Sequence, residues 1–446
     1  MSDAPEPNLP EPPTPDPATG RAPAPTTGVR ARQVLRNPRL WVIPAVLVGL
    51  LSLLMSLLYL GGILDPRADL HHIPIGLVDT DRGATVAGQP QNLGEQIVTG
   101  IATAPDQGDA VSWRRLDEAA AKDQLASGKL YGVLQVPPDF TASVAALGGS
   151  GGAEPARPTI VQYTNPGVGS LGSSLAAQIG QQAAHQASLR LGGMLGALPQ
   201  ARGLDNAARL LIADPVTVTT AVGHPIGSRS GLGLTAFYYT LLLVLAGFMG
   251  ANIIGNGVDV ALGYADNEIG PWRARHPVVP ISRTGTLAVK SAMSVGLSLL
   301  TSSLIMFASV VVLDMDASHL PLLWVFSVCA TAAVGLGVQA INAAFGGIGL
   351  LISMFVFIVL GLPSSGATIP LDALPSFYRF LALFEPMRQL TDGVRAILFF
   401  DAQADAGLTR AWVWIGIGTV AALLFGFAMT RYYDRKGLHR TVPELA

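Results

Sequence analysis

From Leu320 to Leu371 the chain carries no Asp, Glu, Lys or Arg. A run of about 50 residues is roughly twice what one helix needs to cross a hydrocarbon core, so this segment must turn back on itself. Asn342-Ala-Ala-Phe-Gly-Gly347 supplies helix-weakening residues for the turn and divides the run into spans over 321–342 and 347–363. Four further charge-free runs, at 40–64, 230–258, 291–313 and 411–430, are each long enough to span. The expected fold class is a membrane α-helical protein with six transmembrane helices, one plus five, separated by a long insert. A composition of 50% hydrophobic and 13% charged residues, with a mean hydropathy of +0.44, agrees.

The charges between the runs orient them. Arg30, Arg32, Arg36 and Arg39 precede the first run and hold its start on the cytoplasmic side. That run is too long for a signal-peptide core and has no small-residue cleavage site before Asp65-Pro66-Arg67, which makes it a retained span. Alternation then puts 65–230 outside, 255–290 inside, 314–319 outside, 343–347 inside, 364–409 outside and the C-terminus inside. Arg273, Arg275, Arg283 and Lys290 gather in one expected cytoplasmic loop, and Arg431, Arg435, Lys436 and Arg440 in the tail. The expectation is a multi-pass protein of the cytoplasmic membrane with both termini in the cytoplasm. A formal net charge of -2 excludes the global basic field that nucleic acid would require, and the single cysteine, Cys329, excludes an internal disulfide.

Residues 1–29 alternate Pro with small and acidic residues and cannot bury enough surface to fold, so they form a disordered cytoplasmic tail, as a spacer or an SH3-type ligand. Residues 30–64 form an interfacial segment and the first span, 231–436 the five-helix bundle, and 437–446 a second tail. The insert, 65–230, reads as an extracellular α/β domain. Strand patterns at 73–78, 110–116, 129–136 and 159–163 alternate with helical patterns at 92–103, 117–127, 139–147 and 170–195. Asp117 and Asp139 are placed as N-caps, Gly128 as a stop, and Gly148–Gly152 as a surface loop. Stripes of small residues, Gly247, Ala251 and Gly255 in the second span and Gly418, Ala422 and Gly426 in the sixth, permit close helix contact.

Chemistry is sparse. No GxxxxGK[ST] motif occurs, so the chain has no P-loop of its own. None of the six expected spans holds an ionisable group, which argues against ion-coupled transport. His71-His72 beside Asp69 reads as an interfacial pair, since adjacent imidazoles diverge. Asp79-Thr-Asp-Arg-Gly83 spaces Asp79 and Asp81 as a calcium loop does but lacks the later ligands, and Arg82 and Gly83 suit a turn after a strand. No GxSxG elbow is present. No catalytic residue, metal or cofactor is expected, and the protein is not read as an enzyme. Pro271-Trp-Arg-Ala-Arg-His-Pro277 and the residues to Lys290 form a compact basic segment, either an anchor to anionic lipid or a docking elbow for a cytosolic motor.

Two stretches bring a resemblance. The segments 280–290 and 365–387 resemble the membrane subunits of ABC-2 type transporters, and 75–84, 119–128 and 131–140 resemble the start of YhgE/Pip and DUF3533-type membrane proteins. The resemblance implies a permease half, in a homodimer or a heterodimer with a related permease. It would move an apolar or amphipathic substrate and be powered by a separate cytosolic ABC ATPase, docked through Arg273, Arg275, His276, Arg283 and Lys290. Some such proteins instead resemble secretion accessories or receptors, so a non-transporting envelope protein is the alternative. The broken, charged stretch 361–400 then falls outside as a re-entrant segment over 364–400. There Gly366, Glu385, Pro386 and Arg388 are implied as an outer gate, with Glu385 and Arg388 as its latch. A passive amphipathic rim is the other reading. Met387, Leu390, Val394, Ile397 and Leu398 share one helical face, and Arg388, Asp392 and Arg395 the other.

Overall fold

A computed structural model describes residues 38–62, 64–86, 89–104, 109–147, 157–197, 206–269, 272–274, 276–438 and 440. The expected tail 1–29, the loop 148–152, Arg275 and residues 441–446 lie outside them. The chain forms two units, Met1–Leu57 and Leu58–Ala446. Helix α1, Pro38–Gly61, supplies the described part of the first unit, with Val42, Val46 and Leu50 exposed. Its final turn belongs to the second unit.

The second unit opens on a five-stranded mixed sheet. Its elements are β1 (Ile73–Asp79), the short hairpin β2 (Ala84–Val86) and β3 (Gln89–Gln91), α2 (Leu93–Ala102), β4 (Val111–Leu116), α3 (Glu118–Ala126) and β5 (Gly132–Val136). Next come α4 (Phe140–Leu147), β6 (Thr159–Thr164), α5 (Ser170–Gly196), α6 (Asn206–Ala213) and β7 (Thr217–Val222). The strand order is β4-β1-β5-β6-β7; β5 and β6 run antiparallel and the other neighbours parallel. Alternation decides the faces. Leu77 and Leu134 point to the layer of α2, α4 and α5, while Val78 and Val133 meet Ala121 and Leu125 of α3. Central strands covered on both faces read as continuous apolar runs, which is why Ile73–Val78 has no polar residue.

Strand β7 and the β2–β3 hairpin are among the features that escaped the sequence reading, as are α6 and, in the helical part, a hairpin over 267–274. β7 was not expected, although Thr-Val-Thr-Thr-Ala-Val is β-branched and strand-prone. The β2–β3 hairpin was also missed, since Pro90 within a short polar run gives little strand signal.

The helical part contains α7 (Thr235–Ala261), the two-stranded hairpin β8 (Asn267–Ile269) and β9 (Trp272–Ala274), α8 (Arg283–Met306), α9 (Leu320–Phe345), α10 (Gly349–Met354), α11 (Ser376–Leu381), α12 (Pro386–Phe399) and α13 (Leu408–Arg435). The described residues hold four helical stretches long and apolar enough to cross a membrane: Thr235–Ala261, Arg283–Val312, Leu320–Ser364 and Leu408–Arg435. The third is not a single rod. Gly346, at φ 61 and ψ -130, ends α9, and the chain doubles back so that a Cβ on Gly337 would stand 2.6 Å from the Phe357 ring. Helix α9 is the bundle's centre: Leu323, Phe326, Ala330, Val334 and Val338 are buried against α7, α8 and α13.

Small residues set the approach distances. A Cβ on Gly247 would come within 2.8 Å of Val334, and one on Gly426 within 2.9 Å of Ala340, whereas Gly418 faces open space. The stripe expected in the second span is thus a contact within the bundle, and in the last span Gly426 packs on α9 while Gly418 does not. Helix α8 begins at Arg283 and α7 ends at Ala261, so both outrun the charge-free windows. Their extra turns carry Asp259 and Lys290, which pair with each other.

Helix α12 joins the sheet part to the bundle. Met387, Leu390, Val394 and Ile397 are buried in the bundle core, and Gly393 admits Phe326 and Ala411, whose atoms would lie 2.5 and 2.6 Å from a Cβ there. The other face, expected to be polar and outward, is covered as well: the side chains of Arg388, Asp392 and Arg395 are 18%, 13% and 11% exposed. The sheet part lies over them. Phe400 packs against Gly128 and Gly167, and His224 Nε2 lies 2.7 Å from the Phe399 carbonyl oxygen.

Candidate functional site

Two cavities that hold charged side chains lie toward opposite ends of α13. Val413 and Thr430 of α13 line one each, and 17 residues of helix separate them by roughly 25 Å. The cavity of about 700 Å³ at the Thr430 end is built by helical spacing. Asn252, Gly255, Asn256 and Asp259 recur at i, i+3, i+4 and i+7 on α7, and Arg283, Thr286, Leu287 and Lys290 do so on α8.

Asp259 organises this cavity. Lys290 Nζ lies 2.9 Å from its Oδ1, and Arg440 Nη2 donates to its Oδ2 at 3.0 Å. Arg440 also stacks 4.8 Å above the Tyr264 ring. Beyond the charges, Gln339 Nε2 donates to the Ala251 carbonyl at 2.8 Å and Asn342 Nδ2 to Asn252 Oδ1 at 3.0 Å. Asn342 Oδ1 is buried without a hydrogen-bond partner among the described residues. A space lined by amides and mixed charges can receive the polar part of a ligand.

The residues expected to dock a motor separate here. Lys290 is turned inward and paired, with 13% of its side chain exposed, so it offers no surface contact. Arg283 is tied to α13: its backbone N–H donates to Asp434 Oδ1 at 2.9 Å and its Nε to the Leu438 carbonyl at 2.6 Å. Arg273 lies on β9, paired in register with Glu268, and His276 is exposed on the extended chain beyond it. That hairpin replaces any coupling helix between α7 and α8 among the described residues, and its Trp272 is 76% exposed. The prolines at 277 and 280 explain the extended path.

The second cavity, about 630 Å³, lies between the sheet part and the bundle. Arg388, Asp392 and Arg395 reach it from α12, Arg410 and Val413 from α13, Lys129 and Tyr131 from the chain entering β5, and Gly366 from the preceding loop. Three guanidinium groups surround one carboxylate. Arg410 Nη2 bonds Asp392 Oδ2, Arg388 Nη2 stands 3.3 Å from the same oxygen, and Arg395 Nη1 is 3.7 Å from Oδ1. Lys129 and Asp405 close one side at 2.5 Å. Burial pushes the Tyr131 phenol and the Asp372 carboxyl beside it above their ordinary values.

Gly366 and Arg388, two of the expected gate residues, do meet: Gly366 has φ +66, and a Cβ there would lie 3.0 Å from Arg388 Nη1. The expected Glu385–Arg388 latch is made through the main chain instead. Glu385 Oε2 accepts the Arg388 backbone N–H at 3.1 Å and caps α12, with Pro386 at the first helical position. The guanidinium is drawn away by Asp392 at i+4. Arg395 and Arg410 were not singled out as site residues. Arg395 had a signal, the i, i+7 spacing from Arg388; Arg410 had none, because only the packing of α13 brings it near.

Burial pushes the Glu385 carboxyl up to about 8. Below 4.5, its ordinary value, both folded and unfolded chains hold this proton, whereas between 4.5 and about 8 only the folded chain does. Rising pH through this window therefore favours unfolding. The thermal midpoint is expected to fall between about pH 5 and about pH 8, and Glu385→Gln, which keeps the cap, to flatten that fall. An equal fall in both proteins would remove Glu385 from the explanation.

The Asp79–Gly83 motif is a brace. Asp81, 9% exposed, accepts the Gly94 N–H at the start of α2 and the Thr141 N–H at the start of α4, both at 3.1 Å, and also the Thr141 hydroxyl. Asp79 Oδ1 accepts the Asp81 N–H at 2.9 Å, and the Arg82 N–H donates to the Pro138 carbonyl at 3.0 Å. Gly83, at φ +71, makes the turn. One carboxylate facing two helix N-termini is favourably placed without any ion, and no cluster of three or more potential metal ligands exists among the described residues.

The chain belongs to the family described as a protein of unknown function (DUF3533), whose model matches residues 44–418. The match runs from α1 into α13, so it covers the sheet, the second cavity and most of the first. No curated protein and no solved structure matches the chain.

Proposed function

With that family membership as the premise, we propose that the protein is the membrane half of an ABC-2 type exporter. In this reading it crosses the cytoplasmic membrane six times: by α1, α7, α8, α9, the returning segment from α10 to Ser364, and α13. Both termini lie in the cytoplasm, and the sheet part is an inserted extracellular α/β domain. Asp259, Lys290 and Arg440 then line an inner vestibule, and Arg388, Asp392, Arg395 and Arg410 an outer one. A dimer of such halves moves an apolar or amphipathic substrate between them, and a separate cytosolic ATPase supplies the energy.

The observation that carries this reading is the pair of cavities that hold charged side chains, set toward opposite ends of α13. An anchor needs neither, since buried charge is costly within lipid. With Arg283 and Lys290 engaged internally, the motor's contact falls to the β8–β9 hairpin, where Trp272 and, farther along the chain, Val278 and Val279 are exposed. Crosslinking in native membranes, followed by purification, should recover a nucleotide-binding subunit attached at 267–279. Repeated recovery of the protein without one rejects the exporter.

One observation favours the accessory reading. A cleft of about 300 Å³ between α2 and α5, lined by Leu93, Ile97, Leu191 and Met194, would suit an apolar partner on the sheet part. Function that survives charge reversal at Arg273 and Arg275 but not Ile97→Glu would support it.

A further inference from the structure

The outer cavity has more cationic donors than its own residues can use. In the cavity lining, Arg388, Arg395 and Arg410 bring three positive charges against one from Asp392, with Asp372 near Arg388 behind the lining, while Lys129 and Asp405 cancel each other. Three guanidinium groups offer about 15 N–H donors, and a carboxylate accepts about four. Arg395 is 9% exposed, and its Nε and Nη2 are buried without a hydrogen-bond partner among the described residues. A buried cation with free donors is costly unless an anion completes it, and planar guanidinium groups match phosphate oxygens two at a time.

The cavity also has an apolar exit. Val413 lines it, and Val413, Ile417, Val420 and Leu424 recur at i, i+4, i+7 and i+11 down one exposed face of α13. Gly416, at the edge of that face, meets nothing within 4 Å, which leaves the surface there open to a chain.

We infer that the outer cavity holds the phosphate headgroup of an anionic phospholipid, with its acyl chains laid along the Val413–Leu424 face of α13. The inference names a substrate class for the proposed exporter, and only the transport step after binding rests on that reading. Arg388 and Arg410 clamp the phosphate from the two helices, Arg395 adds its charge from beneath, and Asp392 offsets the repulsion among the three guanidinium groups when the site is empty.

Native mass spectrometry of the full-length protein in detergent tests this, with phosphatidylglycerol, diacylglycerol and inorganic phosphate as probes. Phosphatidylglycerol should be retained and diacylglycerol, which lacks the phosphate, bound at least about tenfold more weakly. Arg410→Gln at the exposed rim should weaken phosphatidylglycerol by roughly tenfold, and Arg395→Gln by as much or more. Arg229→Gln, which removes a distant cation paired with Asp314, should change nothing. Should Arg395→Gln fail to fold, Arg410→Gln still decides. Equal retention by wild type and Arg410→Gln overturns the site, as does diacylglycerol binding as tightly as phosphatidylglycerol. Displacement of the lipid by an equal concentration of inorganic phosphate overturns the lipid and leaves a free-phosphate site. Purification without an ATPase would reject the exporter and leave this measurement untouched.

Discussion

Asp259→Ala is expected to destabilise the protein by about 3–5 kcal/mol, and adding Lys290→Met to recover most of that loss. The asymmetry comes from burial. Asp259 and Lys290 are 20% and 13% exposed at the side chain, and removing the carboxylate alone leaves the ammonium desolvated beside the Arg440 guanidinium. Removing both replaces a charged pair by apolar volume, which is near neutral in a low-dielectric setting. Arg440, 27% exposed on a long side chain, can turn to water in either variant. The thermal midpoints of wild type, both single variants and the double variant in one detergent give the coupling energy. Additive losses would show that the pair is held by its surroundings and contributes nothing of its own.

Asp81→Ala should cost about 3 kcal/mol by a different route. It strips the acceptor from two backbone N–H groups and one hydroxyl, at 94 and 141, in a site closed to water. For a domain of this size the midpoint of the sheet part should fall by roughly 6–12 °C. Asp81→Asn retains one acceptor oxygen and should fall by about half as much. Proteolysis at rising temperature, followed by cleavage within 73–222, separates this loss from melting of the bundle. An unchanged cleavage temperature in Asp81→Ala would show that the brace is not structural.

What could be read beforehand was local. The charge-free runs announced the long helices, and short strand-prone runs bounded by turn residues announced β1, β4, β5 and β6. Asp117 was recognisable as a cap, and its side chain accepts the Ala120 N–H at 2.7 Å. Helix ends were less readable, because a window that stops at the first charge cannot know that Asp259 and Lys290 satisfy each other. The site was readable only in part. Gly366 and Arg388 were found because they sit in a conspicuous stretch, whereas Arg410 lies on another helix and meets Asp392 only after folding. The polar face of α12 was seen as a face and assigned to the outside. A periodicity gives sides and not what covers them, and here the cover is the sheet part, whose contact residues, Gly128, Gly167 and His224, are scattered through the insert.

That scattered contact has a bearing on descent. The Phe400 ring fills the space in which Gly128 and Gly167 would carry a side chain, with its atoms 2.7 and 2.9 Å from the two missing methyl positions. The three positions form a lock whose wards lie far apart in the gene. A lineage that exchanged the segment between α1 and α7 for a foreign one would lose the fit at Phe400 at the same stroke. A residue larger than glycine at 167 is tolerable only beside a smaller one at 400, and at 128 the φ of +68 strains one in any case. The insert and the last third of the chain are therefore bound to be inherited together.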